Sequence, residues 1–428
     1  MTETVLLVGG GGREHAVARA LADDTELYAC ASNRNPGIAR LAADTAEVTE
    51  TDADAVVDYA ERVGADLAVI GPEAALAAGV ADALDAAGVY AFGPHAEQAR
   101  VETDKQFQRE FMRRESIPGC PAFETFDDAD DAADYVAETD HDVAVKPAGL
   151  TGGKGVRVTG DQVTTSEAVD YVRSADYDEW VIEERLVGEE FTVQAFVADG
   201  EVRATPAVQD HKRAYEGDEG PNTGGMGSYS AAERALPFTT DADYERAVEI
   251  LEAVVDAMPA YEGVLYGQFM LTAEGPKVVE FNARFGDPEA TNTLPVMETP
   301  LIDVLTAARD GESLPELSFE PAATVCKYAV PEGYPTDPDG GTRVEVDESS
   351  AGEALLFYAS VDERDDGIYT TTSRALAVVG TGAEIAEAER VASDALAAAG
   401  EGLRYRSDVG TAELVQQRID HVAELRGE

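Results

Sequence analysis

Short apolar runs alternate with helical patterns over the first 100 residues of the chain. Four of these runs predict β-strands: Thr4–Val8, Glu26–Ala31, Leu67–Ile70 and Val89–Phe92. The segments between them follow a helical pattern, the first from Arg13 to about Leu21. Strands spaced by such helices are typical of βαβ units, so we expect a parallel sheet whose ligands lie beyond the carboxyl ends of its strands.

Beyond residue 143 the pattern indicates antiparallel hairpins. Val143–Lys146 and Val156–Thr159 flank a glycine-rich loop, and Asp199-Gly200 predicts a tight turn between Phe191–Ala198 and Glu201–Ala204. Other segments predict further elements: a strand at Val181–Glu184, a helix over 240–258, an antiparallel pair at Val264–Thr272 and Lys277–Asn282, strands at Ala323–Val330, Leu355–Ser360 and Ala375–Val379, and a helix over Ala383–Ala399. The chain is therefore predicted to combine α/β and α+β architecture.

The length of 428 residues suggests about three domains. Hydrophobic residues make up 44% of the chain, which is enough for a sizeable core. No stretch reaches the ~18 apolar residues that a membrane helix needs, and a strand begins where a signal peptide would stand. We therefore expect a cytoplasmic protein with no membrane partner. The three cysteines stand far apart, which excludes a disulfide framework and a CxxC metal pair.

Charge is the strongest compositional signal. Aspartate and glutamate total 85, and lysine and arginine total 32, which gives a net charge of −53. A surface of this sign repels phosphate backbones, so no nucleic-acid partner is expected. Lysine occurs only six times, and acidic, lysine-poor surfaces suit concentrated salt, in which the Debye length falls to ~3 Å at 1 M. The composition favours a halophilic source, with an acidic mesophilic enzyme as the alternative.

The first strand ends in a run of glycines, Gly9–Gly12, that leads into a helix. Glycines let the backbone approach an anion, and the helix N-terminus supplies free N–H groups. A dinucleotide fingerprint fails, because Glu14 or His15 stands where the third glycine belongs and no acidic residue ends the second strand. A small phosphate-bearing substrate fits better, and a tight turn with no ligand is the alternative.

A second glycine-rich loop, Lys146–Gly155, carries two of the six lysines. It is not a Walker loop, because Ala148 replaces a required glycine and Gly155 replaces the Ser or Thr that holds magnesium. Its setting between two strands predicts a hairpin flap whose lysines suit closure over a triphosphate. An ordinary surface hairpin is the alternative.

Residues 280–289 combine a candidate metal site with a candidate amino-acid site. Glu280 and Asn282 lie two apart in a predicted strand and so face the same side, where they offer the hard oxygen ligands that Mg²⁺ prefers. Just beyond them, Arg284 can bind a carboxylate through its fork and Asp287 can hold an ammonium group. Together they would clamp a small amino acid, and a structural salt bridge between Arg284 and Asp287 is the alternative.

Three further segments are rich in charge or in glycine. Glu183–Glu190 follows a strand end whose backbone could read an adenine edge, although glutamates are common in this chain. Gln209–Arg213 holds three basic residues in a row and precedes Gly220–Gly227, which has four glycines. Together, Gln209–Arg213 and Gly220–Gly227 are predicted to contact phosphate and sugar, with a loop and its anchoring salt bridge as the alternative.

The motifs stand in one order along the chain: GGGGREHA, GPEAALAAGV, DKQFQREFM, KPAGLTGGKGV, VIEERLVGEE, QDHKR, GPNTGGMGSYS and EFNARFGDPE. In this order they closely resemble the phosphoribosylamine–glycine ligases, a family of ATP-grasp enzymes, from about residue 4 to about 410. QDHKR with GPNTGGMG and NxRFGDPE separates this family from other ATP-grasp ligases. The resemblance implies a Rossmann-like N-terminal domain over 1–103, an ATP-grasp domain over 104–315 with a flexible lobe over about 122–190, and a small β-rich C-terminal domain over 316–428.

The resemblance also implies site residues and ligands. ATP would be bound by Lys105, Lys146, Gly152, Gly153, Lys154, Glu183, Glu184, Leu186 and Glu190. Mg²⁺ or Mn²⁺ would be held by Glu280 and Asn282. Glycine would be bound by Arg284 and Asp287, and the substrate site as a whole, including 5-phosphoribosylamine, would be formed by Gly10, Gly11, Gly12, Glu73, Asp210, Lys212, Asn222, Thr223, Gly224, Gly225, Arg284, Gly286 and Asp287. No catalytic nucleophile is assigned, and the chain is expected to act as a monomer.

The implied reaction is the second step of de novo purine synthesis. A carboxylate is a poor electrophile, so the carboxylate of glycine would first attack the γ-phosphate of ATP, giving glycyl phosphate and ADP. The amine of phosphoribosylamine would then displace phosphate and leave glycinamide ribonucleotide. The protein would mainly position the reactants and neutralise charge. The alternatives are another ATP-grasp carboxylate–amine ligase of purine metabolism and an inert nucleotide-binding sensor.

Overall fold

The structure is a computed structural model that describes residues 2–149, 155–396 and 402–427. The elements of the N-terminal region are β1 (Glu3–Val8), α1 (Gly12–Leu21), β2 (Thr25–Ala31), α2 (Pro36–Leu41), β3 (Asp44–Glu47), α3 (Ala53–Val63), β4 (Leu67–Ile70), α4 (Glu73–Ala77), α5 (Val80–Ala86), β5 (Tyr90–Phe92), α6 (Ala96–Thr103) and α7 (Lys105–Glu115). The five strands form a parallel sheet in the order β3-β2-β1-β4-β5. The predicted parallel sheet is confirmed.

The burial of the strands explains which of them the apolar pattern predicts. β1 and β4 lie at the centre of the sheet, and the side chains of Val5–Val8 and Leu67–Ile70 are buried. A central strand covered on both faces reads as a continuous apolar run. The pattern did not predict β3, because this edge strand has the polar sequence DTAE and is held by its pairing with β2.

The next segment forms a small lobe around the buried side chain of Trp180. Its elements are β6 (Phe123–Phe126), α8 (Ala129–Glu138), β7 (Val143–Pro147), β8 (Arg157–Val158), α9 (Thr165–Ser174) and β9 (Trp180–Glu184), and the strand order is β6-β9-β7-β8. The predicted hairpin is confirmed, because β7 and β8 pair antiparallel. Residues 150–154 lie outside the described residues, and with them the ATP-binding predictions for Gly152, Gly153 and Lys154.

The central body carries the strands that hold the predicted metal site. Its elements are β10 (Glu189–Ala198), β11 (Glu201–Ala204), β12 (Val208–Asp210), β13 (Arg213–Tyr215), β14 (Glu219–Asn222), β15 (Gly227–Ser230), α10 (Asp241–Ala257), β16 (Gly263–Thr272), β17 (Gly275–Asn282), α11 (Glu289–Thr293) and α12 (Leu301–Asp310). β16 and β17 form the predicted antiparallel pair. Asp199 and Gly200 both have positive φ, as the predicted tight turn requires.

The C-terminal region continues the sheet of the central body. Its elements are β18 (Ala323–Pro331), β19 (Arg343–Val344), β20 (Leu355–Tyr358), β21 (Val361–Arg364), β22 (Gly367–Thr370), β23 (Leu376–Gly382), α13 (Ile385–Ala395), β24 (Leu403–Arg404) and α14 (Ala412–Arg426). The wholly buried strand β18 pairs with β15 on one side and β23 on the other. The main path of the sheet is therefore β17-β16-β10-β12-β15-β18-β23-β20, which runs across the boundary predicted at residue 315.

No helix of the described segments is both long enough and apolar enough to cross a membrane.

Candidate active site

A cleft opens where β17 and the loop after β14 meet the N-terminal and C-terminal regions. Its lining includes eleven of the predicted site residues: Glu73, Lys105, Asp210, Lys212, Asn222, Thr223, Gly224, Glu280, Asn282, Arg284 and Asp287. Seven further residues complete the lining: Arg13, Glu102, Gln108, Tyr266, Phe281, Glu289 and Arg374. The cleft thus holds charged side chains of both signs. Substrates that carry phosphate, carboxylate and amine groups require such a site.

The two predicted metal ligands lie side by side at the end of β17. The amide Nδ2 of Asn282 is 3.5 Å from Oε1 of Glu280, and Lys212 Nζ is 3.7 Å from the same oxygen. Burial disfavours the charged form of Glu280, but the surrounding cations outweigh it and lower its pKa to about 2. The amide oxygen of Asn282 accepts from Arg284 Nη2 at 3.3 Å, so the amide nitrogen and not the oxygen faces Glu280. An ionised carboxylate and an amide oxygen from one strand are ligands that suit Mg²⁺, which keeps several positions for water and substrate phosphates.

The base of the predicted flap reaches the same strand through a buried carboxylate. Lys146 Nζ donates to Glu183 Oε2 at 2.8 Å and to the carbonyl of Val279 at 3.1 Å, one residue before Glu280. Glu183 also binds Arg109 through two parallel bonds, from Nε at 2.7 Å and from Nη2 at 3.0 Å. The side chain of Glu183 therefore links the lobe to β17, the strand of the predicted metal ligands, and its predicted role at adenine stays a prediction.

The other described residues that were predicted to bind ATP make separate contacts. Lys105 Nζ donates to the carbonyl of Gly149 at 2.7 Å, and Glu184 accepts from Lys277 at 2.8 Å. Glu190 accepts from the amide of Gln268 at 2.6 Å. Leu186 lies in the connection between β9 and β10. Of these residues, only Lys105 lines the cleft.

Arg284 is held by two carboxylates from the N-terminal region. Its Nη2 is 2.9 Å from Glu102 Oε1, and its Nε is 3.6 Å from Glu73 Oε2. Burial raises the pKa of Glu102 to about 7 despite the neighbouring Arg284. The Nε of Arg284 is shielded from solvent and donates no hydrogen bond to any described residue. A guanidinium that lines the cleft can bind a carboxylate ligand through its fork.

Asp287 is engaged by the C-terminal region. Tyr328 donates its hydroxyl to Oδ1 of Asp287 at 2.6 Å, and Arg374 Nη2 is 3.1 Å from Oδ2. The alternative of a salt bridge between Arg284 and Asp287 is wrong, because each of the two residues has other ionic partners. Arg374 also donates to the carbonyls of Gly224 and Gly225, so the C-terminal region fixes two parts of the cleft.

The glycine run after β1 lies beside the cleft. Gly10 lines a separate cavity with residues of β2 and β3, and a side chain at Gly12 would overlap the hydroxyl of Tyr328. Arg13, which follows the run, reaches the cleft and donates to the carbonyl of Phe285 at 3.1 Å. Gly11, Gly225 and Gly286 do not line the cleft either, so the substrate roles predicted for these glycines stay predictions.

Several residues that line the cleft were not predicted from the sequence, for two reasons. Arg13 and Glu289 stand inside the motifs GGGGREHA and EFNARFGDPE, so their motifs signalled them although no role was assigned. Glu102, Tyr266 and Arg374 come from α6, β16 and the segment before β23. Only the tertiary packing brings these three to the cleft, and no local pattern marks them.

Comparisons with known proteins agree over the whole chain. Three models of the phosphoribosylglycinamide synthetase family match, namely the N domain at residues 3–102, the ATP-grasp (A) domain at 103–290 and the C domain at 324–412. The phosphoribosylamine–glycine ligase of Methanococcoides burtonii is 52% identical, and that of Methanopyrus kandleri is 50% identical, each alignment covering 99% of both chains.

Solved structures share the fold. The phosphoribosylamine–glycine ligase of Thermotoga maritima is 26% identical, with a TM-score of 0.79 over 95% of this chain and 99% of that one. The biotin carboxylase domain of the Hydrogenobacter thermophilus 2-oxoglutarate carboxylase is only 16% identical, with a TM-score of 0.74 over 100% of this chain and 96% of that one. At that identity the second likeness concerns the fold alone.

Proposed function

The chain belongs to the phosphoribosylglycinamide synthetase family and is a carbon–nitrogen ligase of purine biosynthesis; from this premise we propose how its residues join glycine to phosphoribosylamine with ATP. The carboxylate of glycine attacks the γ-phosphate of ATP and forms glycyl phosphate. The amine of phosphoribosylamine then attacks the acyl carbon and displaces phosphate. The observation that carries this proposal is the single cleft in which Lys105, Lys212, Glu280 and Arg284 meet.

Each of these side chains has a part in the proposal. Lys105 and Lys212 offset the charge of the transferring phosphoryl group, and Arg284 orients the carboxylate of glycine through its guanidinium, which lines the cleft. Glu280 and Asn282 hold Mg²⁺ or Mn²⁺, which supplies further charge neutralisation at the phosphates when it is bound. The small lobe excludes water from the acyl phosphate. The protein forms no covalent intermediate with the substrates.

The test is ADP release assayed with glycine and phosphoribosylamine omitted in turn. Full release is expected only with both substrates present. Release that depends on bicarbonate or formate would instead support another ATP-grasp ligase of the same pathway. ATP binding without any phosphate release would support a nucleotide-binding sensor. The monomeric state and the cytoplasmic location stay predictions.

Arg284→Ala is expected to raise the KM for glycine by about 10- to 100-fold, the equivalent of losing a hydrogen bond to a charged group. The reason is the loss of the guanidinium that faces the cleft between Glu73 and Glu102. Arg284→Lys is the matched control, because it keeps the charge but not the forked guanidinium. Its KM for glycine should lie between those of the parent and of Arg284→Ala. Steady-state kinetics with glycine varied will measure the effect, and an unchanged KM would discard this glycine contact.

We propose that the enzyme is halophilic. Its net charge of −53 places many like charges on one surface, and their mutual repulsion is screened as salt is added. The free energy of unfolding is therefore expected to rise steeply as KCl increases into the molar range. Urea unfolding curves at fixed KCl concentrations will measure it. A free energy that stays flat with salt would support the acidic mesophilic alternative.

A further inference from the structure

Asp210 differs from the other carboxylates of the cleft in its hydrogen bonding. It ends β12 and lines the cleft. Its Oδ1 is shielded from solvent and accepts no hydrogen bond from the described residues. Each of the other lining carboxylates has a described partner: Glu73 and Glu102 pair with Arg284, Glu280 with Lys212, Asp287 with Arg374, and Glu289 with the hydroxyl of Tyr266.

The backbone opposite Asp210 is shaped for close approach. Gly225 has φ +110°, and a Cβ at this position would lie 2.6 Å from Oδ1 of Asp210 and 2.7 Å from Pro288. Only glycine fits between these two groups in this conformation. The loop that carries Asn222 and Thr223 thus packs directly against Oδ1, and the same carboxylate lines the cleft. Asp210 therefore lies next to the loop predicted to contact phosphoribosylamine.

The charges around Asp210 come from four directions. Glu289 faces it from α11, Glu190 from β10, Lys212 from its own segment and Arg374 from the C-terminal region. Burial and the carboxylate of Glu289 raise the pKa of Asp210 well above its ordinary value, while the two cations act in the opposite direction. A carboxylate of raised pKa is a stronger base than an ordinary aspartate.

Amide formation must remove a proton from the attacking nitrogen. We propose that Asp210 is the catalytic base of the second half-reaction and takes this proton from the amine of phosphoribosylamine through the carboxylate that lines the cleft. This role rests on the proposed function. The nitrogen lone pair forms the C–N bond, and the C–O bond to the phosphoryl group breaks with its electron pair on the phosphate oxygen. The proton on Asp210 then passes to that oxygen, which yields HPO4²⁻ and restores the carboxylate.

The test compares two nucleophiles in the full-length enzyme. Asp210→Asn keeps the size of the side chain but cannot accept the proton. Turnover with phosphoribosylamine is expected to fall about 100-fold or more. Hydroxylamine is a reactive nucleophile that needs little help from a base, so the glycine- and ATP-dependent formation of glycine hydroxamate should stay within a few-fold of the parent.

The outcomes separate this role from the proposed function. If the Asp210→Asn variant loses both reactions equally, or neither, Asp210 is not the base. If the parent itself forms no hydroxamate, the proposed glycyl phosphate fails and the base falls with it. Glu289→Gln removes the neighbouring charge and should move the acidic limb of the kcat profile to lower pH, because Asp210 then loses its proton more easily. A limb that stays in place would overturn the proposal even if the Asp210 variant does not fold.

Discussion

Glu280→Ala is expected to lower magnesium-dependent turnover by about 100-fold or more, the scale on which removal of a key electrostatic group acts. Glu280 is the only carboxylate of the proposed metal pair, and the surrounding cations keep it ionised, with its pKa lowered to about 2. Its loss leaves Asn282 as the single protein ligand and leaves Lys212 without its carboxylate. Turnover measured over a magnesium titration will show the fall and an increased metal requirement.

The hairpin that carries Glu280 offers a matched control. Glu274 lies in the turn between β16 and β17 and is exposed. Glu274→Ala removes the same charge from the same hairpin and should leave turnover within about two-fold, since exposed substitutions change little. Near-normal activity of Glu280→Ala at saturating magnesium would show that this residue does not hold the metal.

The alternation of side chains along a strand made the placement of Glu280 beside Asn282 predictable, and their role as metal ligands stays a prediction. Glu280 and Asn282 stand two apart in a segment that reads as a strand, and in β17 they lie side by side. The apolar runs predicted β1 and β4 for a similar local reason, because burial on both faces leaves a continuous signal. In both cases the information lies within a few neighbouring residues.

Contacts between distant segments could not be predicted in this way. The motif suggested that Arg284 and Asp287 act as a pair, but Arg284 is held by Glu102 from α6 and Asp287 by Arg374, which precedes β23. These partners are 182 and 87 residues away along the chain. The continuation of the central sheet through β15 and β18 brings the C-terminal region close enough to supply Arg374. No local pattern encodes such pairings.

Arg109→Met is expected to lower the free energy of unfolding by about 3–5 kcal/mol, the usual result of breaking one side of a buried ion pair. Arg109 is fully buried and binds Glu183 through two bonds of 2.7 and 3.0 Å. Its Nη2 also donates to the carbonyls of Val278 and Val279. Arg114→Met on the same helix removes an exposed arginine and should cost less than about 1 kcal/mol.

A double variant distinguishes a buried ion pair from simple packing. Arg109→Met leaves Glu183 with Lys146 as its one remaining ionic partner among the described residues. Glu183→Gln removes this undercompensated charge, so the double variant should lose less stability than the sum of the two single losses. Residues in direct contact typically couple by about 0.5–3 kcal/mol. Urea unfolding of all four proteins at one salt concentration will give the coupling, and strictly additive losses would contradict it. A positive coupling would mean that the charge of Glu183 in the lobe is paired with Arg109, whose Nη2 also donates to the carbonyls of Val278 and Val279 in the strand of the proposed metal ligands.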